Sequence, residues 1–261
     1  MSLIERECDE SKEHMFSLIE NTQLVALTPR NVALAEAMIK NDSAYIKSSD
    51  VNAVPKDKYA GSTAYWMRQL KLLLLVERRS VKDDEYEKVL SGAIMAIDRE
   101  NRTHLSSDGV GPKEMLKRLL DLNKEALLNF LRNPKDTKYD LIVKLSELTE
   151  PKGEKYKPRK NLSFATKFCH YACFYLFDGE DAQDNYSIYD SVVKKALPEY
   201  CKYYKIDAPK FNNKKDLHDY LEYQGKIDAI IEKLKDKISR NGFDHLVWYY
   251  FKGRNYEKRQ E

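Results

Sequence analysis

The stretch from Asn161 to Ala196 reads NLSFATKFCHYACFYLFDGEDAQDNYSIYDSVVKKA and contains two consecutive helical patterns. Its first part is strongly apolar and carries Lys167 close to its beginning, whereas Asp190 directly precedes the second pattern. Ser163 is a suitable N-cap for the first helix, which would place Lys167 in the first turn or just after it. We therefore predict one helix over residues 163–177 and another that begins at Asp190.

Lys167 is a candidate amine nucleophile. The positive end of the helix dipole disfavours an ammonium group near a helix start, and removal from water among aromatic side chains disfavours it further. The neutral amine is the form that attacks carbon and forms Schiff bases. Asp190 can cap the second helix and direct one oxygen toward that amine. In the alternative interpretation, Lys167 extends its charged end to water and Asp190 is only a cap.

The rest of the chain is predominantly helical in its apolar periodicity. Only nine glycines occur among 261 residues, and no convincing alternating strand pattern is present. We predict an all-α, multi-helical protein with an N-terminal helical layer over 1–150 and a second region over 151–261, or one continuous domain. The predicted helices outside the opening stretch cover about 12–27, 30–46, 63–78, 83–97, 113–131, 137–148, 191–204, 216–238 and 244–252.

Composition narrows the protein class. Charged residues make up 33% of the chain and the mean hydropathy is −0.67. The longest apolar run, Leu72–Val76, is far too short to cross a bilayer, and the N-terminus lacks the basic start and apolar run of a signal peptide. We therefore expect a cytoplasmic protein with no membrane partner.

Positive charge is concentrated in the C-terminal region. Residues 1–150 carry 23 basic and 25 acidic side chains, whereas residues 151–261 carry 22 and 17. Arg159 and Lys160 precede the apolar helix, and Lys194 and Lys195 follow Asp190. Basic runs on both sides of a candidate site suit a polyanion such as nucleic acid, although solvated surface lysines give the same pattern.

The run from Ser163 to Asp190, SFATKFCHYACF…YSIYDSVV, resembles the helix-hairpin-helix DNA glycosylase superfamily, specifically its bacterial 8-oxoguanine DNA glycosylase-like proteins. In that superfamily a hairpin leads into a helix with a catalytic lysine, and an aspartate follows at the start of another helix. Lys167 and Asp190 match these two positions. The segment 238–250 is also similar to the end of those bacterial proteins. The resemblance covers about 161–253 and does not extend to the first 150 residues.

The resemblance has one departure, in the hairpin. The family's hairpin carries a Gly-x-Gly turn whose amides hold a DNA phosphate, whereas residues 158–162 contain no glycine. Arg159, Lys160 and Asn161 are then the expected phosphate contacts. A Gly-Val-Gly run at 109–111 precedes Lys113, but no aspartate with an apolar lead-in follows it, which favours an ordinary loop.

The resemblance implies DNA base excision on a flipped base. Lys167 would attack the sugar and form a Schiff base, and Asp190 would stabilise positive charge or direct protons. Four aromatic and histidine side chains would line the base pocket, namely His170, Tyr171, His245 and Trp248. In the alternative interpretation they belong to an ordinary core. DNA is the expected partner, and no cofactor and no metal site is predicted. The alternative function is a non-catalytic nucleic-acid-binding or interaction protein that retains the fold.

Cys169 and Cys173 are expected to be reduced and buried.

Overall fold

The computed structural model describes residues 15–42, 61–76, 83–101, 103–105, 111–148, 159–212 and 214–252. Within these ranges the chain is predominantly helical, so the predicted all-α class is confirmed. A π-helical turn, Leu72–Val76, continues the second helix, and a 3₁₀ turn spans Asp181–Asp184. The described helices are α1 Pro29–Asp42, α2 Thr63–Lys71, α3 Asp83–Asn101, α4 Gly111–Leu120, α5 Lys124–Arg132, α6 Asp140–Ser146, α7 Leu162–Leu176, α8 Ser191–Tyr203, α9 Leu217–Lys233 and α10 Arg240–Phe251.

The described strands are very short. Strand β1, Glu147–Leu148, pairs antiparallel with β2, Arg159–Lys160, in a two-residue ladder. The amide of Asn161 extends this contact by donating to the carbonyl of Ser146 at 2.7 Å. The ladder joins the end of α6 to the start of α7, and α6 also packs along α7.

Two helix predictions are wrong. Residues 16–27, inside the predicted helix 12–27, form an irregular segment with an isolated bridge between Leu18 and Val25, while residues 12–14 lie outside the described ranges. The buried Asn31 side chain holds this segment by donating to the carbonyls of Ser17 and Ala26, both at 2.8 Å. The predicted helix 113–131 is two helices, because Asn123 interrupts it and caps α5.

The chain forms two compact units, each assembled from separate stretches of sequence. The first unit comprises the described residues of Met1–Lys40, Asp190–Lys210 and Tyr223–Glu261. The second comprises those of Asn41–Tyr189 and Phe211–Glu222. The predicted division into 1–150 and 151–261 is a different partition of the chain and stays a prediction.

Helix α7 is the central element of the second unit. It packs against α2, α3, α5 and α6, and most of its side chains are buried. Trp66 of α2 lies directly on Gly92 of α3, where a β-carbon would overlap the indole ring. The absence of a side chain at Gly92 thus allows the close contact between α2 and α3.

The first unit has its own aromatic core. Tyr200 of α8 packs edge-on against Phe243 of α10, with ring centroids 5.8 Å apart. The hydroxyl of Tyr200 donates to the carbonyl of Val25 at 2.9 Å, which joins α8 to the irregular segment before α1. None of the helices in the described ranges combines the length and the apolar character needed to cross a membrane.

Candidate functional site

Helix α7 begins at an asparagine cap. The Asn161 side-chain oxygen accepts from the amide of Phe164 at 3.0 Å, and its nitrogen donates to the carbonyl of Thr103 at 3.1 Å. The expectation that Ser163 caps this helix is therefore wrong, because the helix starts one residue earlier, at Leu162. Both ends of the Asn161 amide hold the fold together, and its predicted contact with nucleic acid stays a prediction.

Lys167 is buried within the second unit. It is the sixth residue of α7, beyond the first turn, and only 5% of it is exposed. Its Nζ donates to the main-chain carbonyl of Asn101, the last residue of α3, at 3.3 Å. The alternative in which Lys167 extends its charged end to water is therefore wrong. Its amine lies at the negative end of a helix, where a donor is favoured.

The segment before Asp190 runs along α7. The amide of Tyr189 donates to the Thr166 hydroxyl at 3.2 Å, and Nδ1 of His170 lies 2.9 Å from the carbonyl of Tyr186. These two contacts are separated by one turn of α7, and Lys167 lies between them in sequence. The chain then passes from Tyr189 directly into Asp190.

Asp190 is the N-cap of α8, as predicted. Its Oδ1 accepts from the amide of Val192 at 2.7 Å, and only 9% of the residue is exposed. Asp190 belongs to the first unit and Lys167 to the second. Their pairing in one site stays a prediction.

The predicted cationic contacts lie on two different elements. Arg159 and Lys160 form β2 in place of a tight turn, and the Lys160 side chain is exposed. Lys194 and Lys195 lie in the first turns of α8, the former half-buried and the latter exposed. A common nucleic-acid surface for these four side chains stays a prediction.

Two of the predicted base-pocket residues lie on α7. His170 is fully buried and its ring stacks on Phe174 with an interplanar angle of 8°. Because the Tyr186 carbonyl can only accept, Nδ1 of His170 carries the proton in that contact. Tyr171 is half-buried, and its hydroxyl donates to Oδ1 of Asn101 at 2.9 Å. His170 and Tyr171 therefore both make hydrogen bonds within the second unit.

The other two predicted pocket residues lie on α10 in the first unit. His245 is half-buried, with Nδ1 3.3 Å from Oε1 of Glu36 on α1. Trp248 is half-buried as well, and Nζ of Lys252 lies 4.2 Å from the centroid of its ring. The four predicted pocket residues are thus divided between the units, and a shared pocket stays a prediction.

A group of potential metal ligands lies at the start of α9. Atoms of Asp216, His218 and Asp219 all lie within 4.8 Å of one another. The buried Asp219 carboxylate accepts from the amides of Asn212 at 2.6 Å and Lys215 at 2.9 Å. Desolvation raises the pKa of Asp216, but the Asp219 amide, the Asn212 side chain and the charge of Lys160 outweigh it and hold that pKa below its ordinary value. Asp216 also accepts from the amide of Asp219, so both carboxylates have main-chain hydrogen-bond donors.

The cysteines of α7 are free, as predicted. Both Cys169 and Cys173 are fully buried, and burial raises the pKa of each thiol well above its ordinary value. A buried neutral thiol is a poor nucleophile, because the thiolate is the reactive form. Neither cysteine competes with Lys167 as a candidate nucleophile.

Comparison of the chain with protein-family models, with curated proteins and with solved structures gives no match. The resemblance to the glycosylases therefore depends on the residues quoted from the sequence.

Sequence reasoning missed three residues around Lys167. Asn101, Thr166 and Tyr189 hold the lysine or the segment beside it. Asn101 is 66 positions from Lys167, so no local pattern indicates their contact. The available signals were weak: Asn101 is a polar residue at the end of the α3 periodicity, and Thr166 is a hydroxyl inside an apolar helix.

Proposed function

We propose that the protein is a DNA base-excision glycosylase of the helix-hairpin-helix type, with abasic-site lyase activity through a Schiff base on Lys167. The observation that carries the proposal is a buried lysine on α7 beside a segment that leads straight into an aspartate cap. A buried amine held by a defined acceptor is uncommon, because burying an ammonium group costs free energy unless it is paired. The order of lysine helix and aspartate cap is also that of the superfamily.

The proposed reaction begins with the neutral amine of Lys167. Its lone pair attacks the sugar C1′, the glycosidic bond breaks, and the bonding electrons leave with the base, which takes up a proton. Nζ then loses a proton, and its lone pair forms the second bond to C1′ as the C1′–O4′ bond of the sugar ring breaks. The ring oxygen leaves with the bonding electrons and takes up a proton, which gives a protonated imine between Nζ and C1′. Asp190 is proposed to stabilise the positive charge that develops at the sugar.

DNA is the proposed partner. Arg159, Lys160, Lys194 and Lys195 are the proposed phosphate contacts, since neutralising phosphates releases counterions and gives affinity without base recognition. His170, Tyr171, His245 and Trp248 remain the proposed residues around the flipped base, where aromatic rings can stack on it.

Two observations favour the non-catalytic alternative. The contact of Lys167 with the carbonyl of Asn101 is also a good structural interaction for a lysine at a helix C-terminus. In addition, β2 precedes α7 where the family has a glycine turn. A nucleic-acid-binding protein that retains the fold without chemistry would keep both features.

Borohydride trapping separates these two functions. Borohydride reduces an imine between lysine and sugar to a stable amine, so incubation with duplex DNA carrying 8-oxoguanine or an abasic site should give a covalent adduct. Lys167→Gln should abolish the adduct and keep the fold, because glutamine retains an N–H donor for the Asn101 carbonyl. Lys144→Gln, which removes a surface lysine 3.3 Å from Asp140, is the matched control and should trap normally.

The second variant tests the aspartate. Asn caps helices as well as Asp does, so Asp190→Asn should preserve α8 and slow trapping. Salt-dependent binding of duplex DNA with no adduct from any of these substrates would favour the non-catalytic alternative. Trapping that survives Lys167→Gln would contradict the proposed nucleophile.

A further inference from the structure

Asn101 contacts two residues of α7 that are one turn apart. Its main-chain carbonyl accepts from Nζ of Lys167 at 3.3 Å, and its side-chain Oδ1 accepts from the hydroxyl of Tyr171 at 2.9 Å. Residues four apart on a helix lie on the same face, so one residue at the end of α3 can meet both. All three residues belong to the second unit.

The surrounding chain fixes the end of α3. The buried Asp98 accepts from the amide of Leu105 at 2.8 Å and from the hydroxyl of Thr103. The Thr103 carbonyl in turn accepts from Asn161, the cap of α7. The acceptor for Lys167 is therefore attached to the same helix that carries the lysine, through Tyr171 on one side and Asn161 on the other.

We propose that Asn101 is a positioning residue, which holds the amine of Lys167 for attack and accepts the N–H of the Schiff base in its main-chain carbonyl. This inference rests on the proposed function. A protonated imine of lysine carries a single N–H, because the nitrogen lone pair and one of the two N–H bonds of the neutral amine give way to the double bond to C1′. The Asn101 carbonyl can accept this N–H. The carbonyl also belongs to the negative end of α3, which stabilises the positive charge of the protonated imine.

The hydrogen bond between Asn101 and Tyr171 can be removed from either end. Asn101→Ala keeps the main-chain carbonyl but loses the attachment to Tyr171, and Tyr171→Phe loses the same bond. Each should lower the single-turnover rate of borohydride trapping on abasic-site duplex about tenfold at saturating DNA. Asn101→Ala should also leave the Kd for DNA unchanged. The double variant should be no slower than the slower single variant, because both changes break one bond.

Matched controls come from the same unit. Asn133→Ala removes an asparagine at the end of α5, and Tyr175→Phe removes a hydroxyl one turn further along α7. Both should trap at the wild-type rate. A substitution that merely destabilised the fold would lower the Tm and the DNA affinity rather than the saturated rate alone.

A second measurement needs no DNA. Reductive methylation with formaldehyde and cyanoborohydride, followed by peptide mass spectrometry, reports how often each lysine amine is accessible. Lys167 should react at least about fivefold faster in Asn101→Ala and Tyr171→Phe than in the wild type, because a released amine is less shielded. Lys144 of the same molecules is the internal standard and should not change.

The two measurements distinguish the possible failures. Faster methylation with slower trapping supports the inference. Trapping rates within twofold of wild type in both variants, or methylation of Lys167 unchanged, would overturn the positioning role. If the wild-type protein gives no adduct but methylation of Lys167 accelerates in both variants, the proposed function fails and the attachment of the lysine to Asn101 stands.

Discussion

Burying a lysine stabilises a fold only when its amine finds an acceptor, and Lys167 finds one at the carbonyl of Asn101. The same contact explains why alanine is the wrong test of the nucleophile. Lys167→Ala would remove a buried stem and leave a carbonyl without that donor, which typically costs about 1–3 kcal/mol. Glutamine separates the chemical role of the amine from this structural one.

Tyr86 differs from Lys167 because its buried polar group lacks a hydrogen-bond partner among the described residues. Within the described part of the chain, its buried hydroxyl on α3 has no hydrogen-bond partner, and desolvation raises its pKa to about 12. We expect Tyr86→Phe to stabilise the protein by about 1 kcal/mol at neutral pH, because it removes an unsatisfied polar group. Urea unfolding at pH 7 measures this change, and a destabilised variant would contradict it.

The raised pKa of Tyr86 also predicts a pH dependence. The unfolded tyrosine loses its proton near pH 10, whereas the folded one retains it to about 12. The free energy of unfolding therefore keeps the full benefit of the neutral, buried phenol below pH 10. This benefit is lost as the pH rises from about 10 to 12, because the unfolded chain releases the proton first. Tyr86→Phe should unfold with a shallower alkaline decline across this window, and identical declines would contradict the burial of the phenol.

At the element scale, the packing of α2 on α3 depends on Gly92. Alanine in a helix normally gains about 1 kcal/mol over glycine. At position 92, however, the added methyl group would overlap the ring of Trp66, and overpacking a core typically costs about 1–3 kcal/mol. We expect the overlap to outweigh the propensity, so that Gly92→Ala lowers the free energy of unfolding.

Gly225 provides the matched control for that substitution. It lies within α9, and, apart from its chain neighbours and the adjacent helix backbone, no atom of the described chain lies within 4 Å of the position that its β-carbon would occupy. Gly225→Ala should therefore raise the free energy of unfolding by up to about 1 kcal/mol. Thermal and urea unfolding of both variants test the pair, and stabilisation by Gly92→Ala would show that α2 and α3 do not pack this closely.

Local patterns predicted most helices because a helix is defined by contacts three and four residues apart. They failed where a distant side chain decides the outcome. Asn31 holds residues 16–27 in an irregular segment through hydrogen bonds to Ser17 and Ala26. Asn161 replaces Ser163 as the cap of α7 because it also bonds to Thr103, a partner that is 58 positions away.

The same limit applies to the candidate site. The aspartate cap at Asp190 was predictable, because capping is local. The environment of Lys167 was not, since Asn101 is 66 positions away, in the part of the sequence to which the resemblance does not extend. The surface that would face DNA also cannot be derived from charge runs, because a run shows which side chains are cationic and not where they point.

At the scale of the whole molecule, the C-terminal region depends on the first 150 residues. Helix α7 buries its apolar side chains against α2, α3, α5 and α6, all of which precede residue 151. We expect a fragment of residues 151–261 to lack a cooperative unfolding transition by circular dichroism, although the full chain shows one. A fragment that unfolds cooperatively would contradict this dependence.

The proposed DNA binding should depend on the salt concentration, because phosphate contacts release counterions. The logarithm of the affinity should fall linearly with the logarithm of the salt concentration, by about 0.9 for each phosphate contact. Lys194→Gln together with Lys195→Gln should reduce that slope by about 2 if both contact phosphate. Lys233→Gln with Lys235→Gln is the control, and fluorescence anisotropy at several salt concentrations measures both. Equal slopes in the two double variants would exclude α8 from the DNA surface.

The location of the trapped sugar tests the central claim most directly. Borohydride reduction on abasic-site DNA, followed by nuclease and protease digestion, leaves a sugar fragment on the nucleophilic amine, which peptide mass spectrometry can assign. We predict that the added mass lies on Lys167 within the peptide that starts α7. Added mass on Lys113 or on the N-terminal amine instead, or no adduct on any peptide, would contradict a glycosylase with Lys167 as its nucleophile.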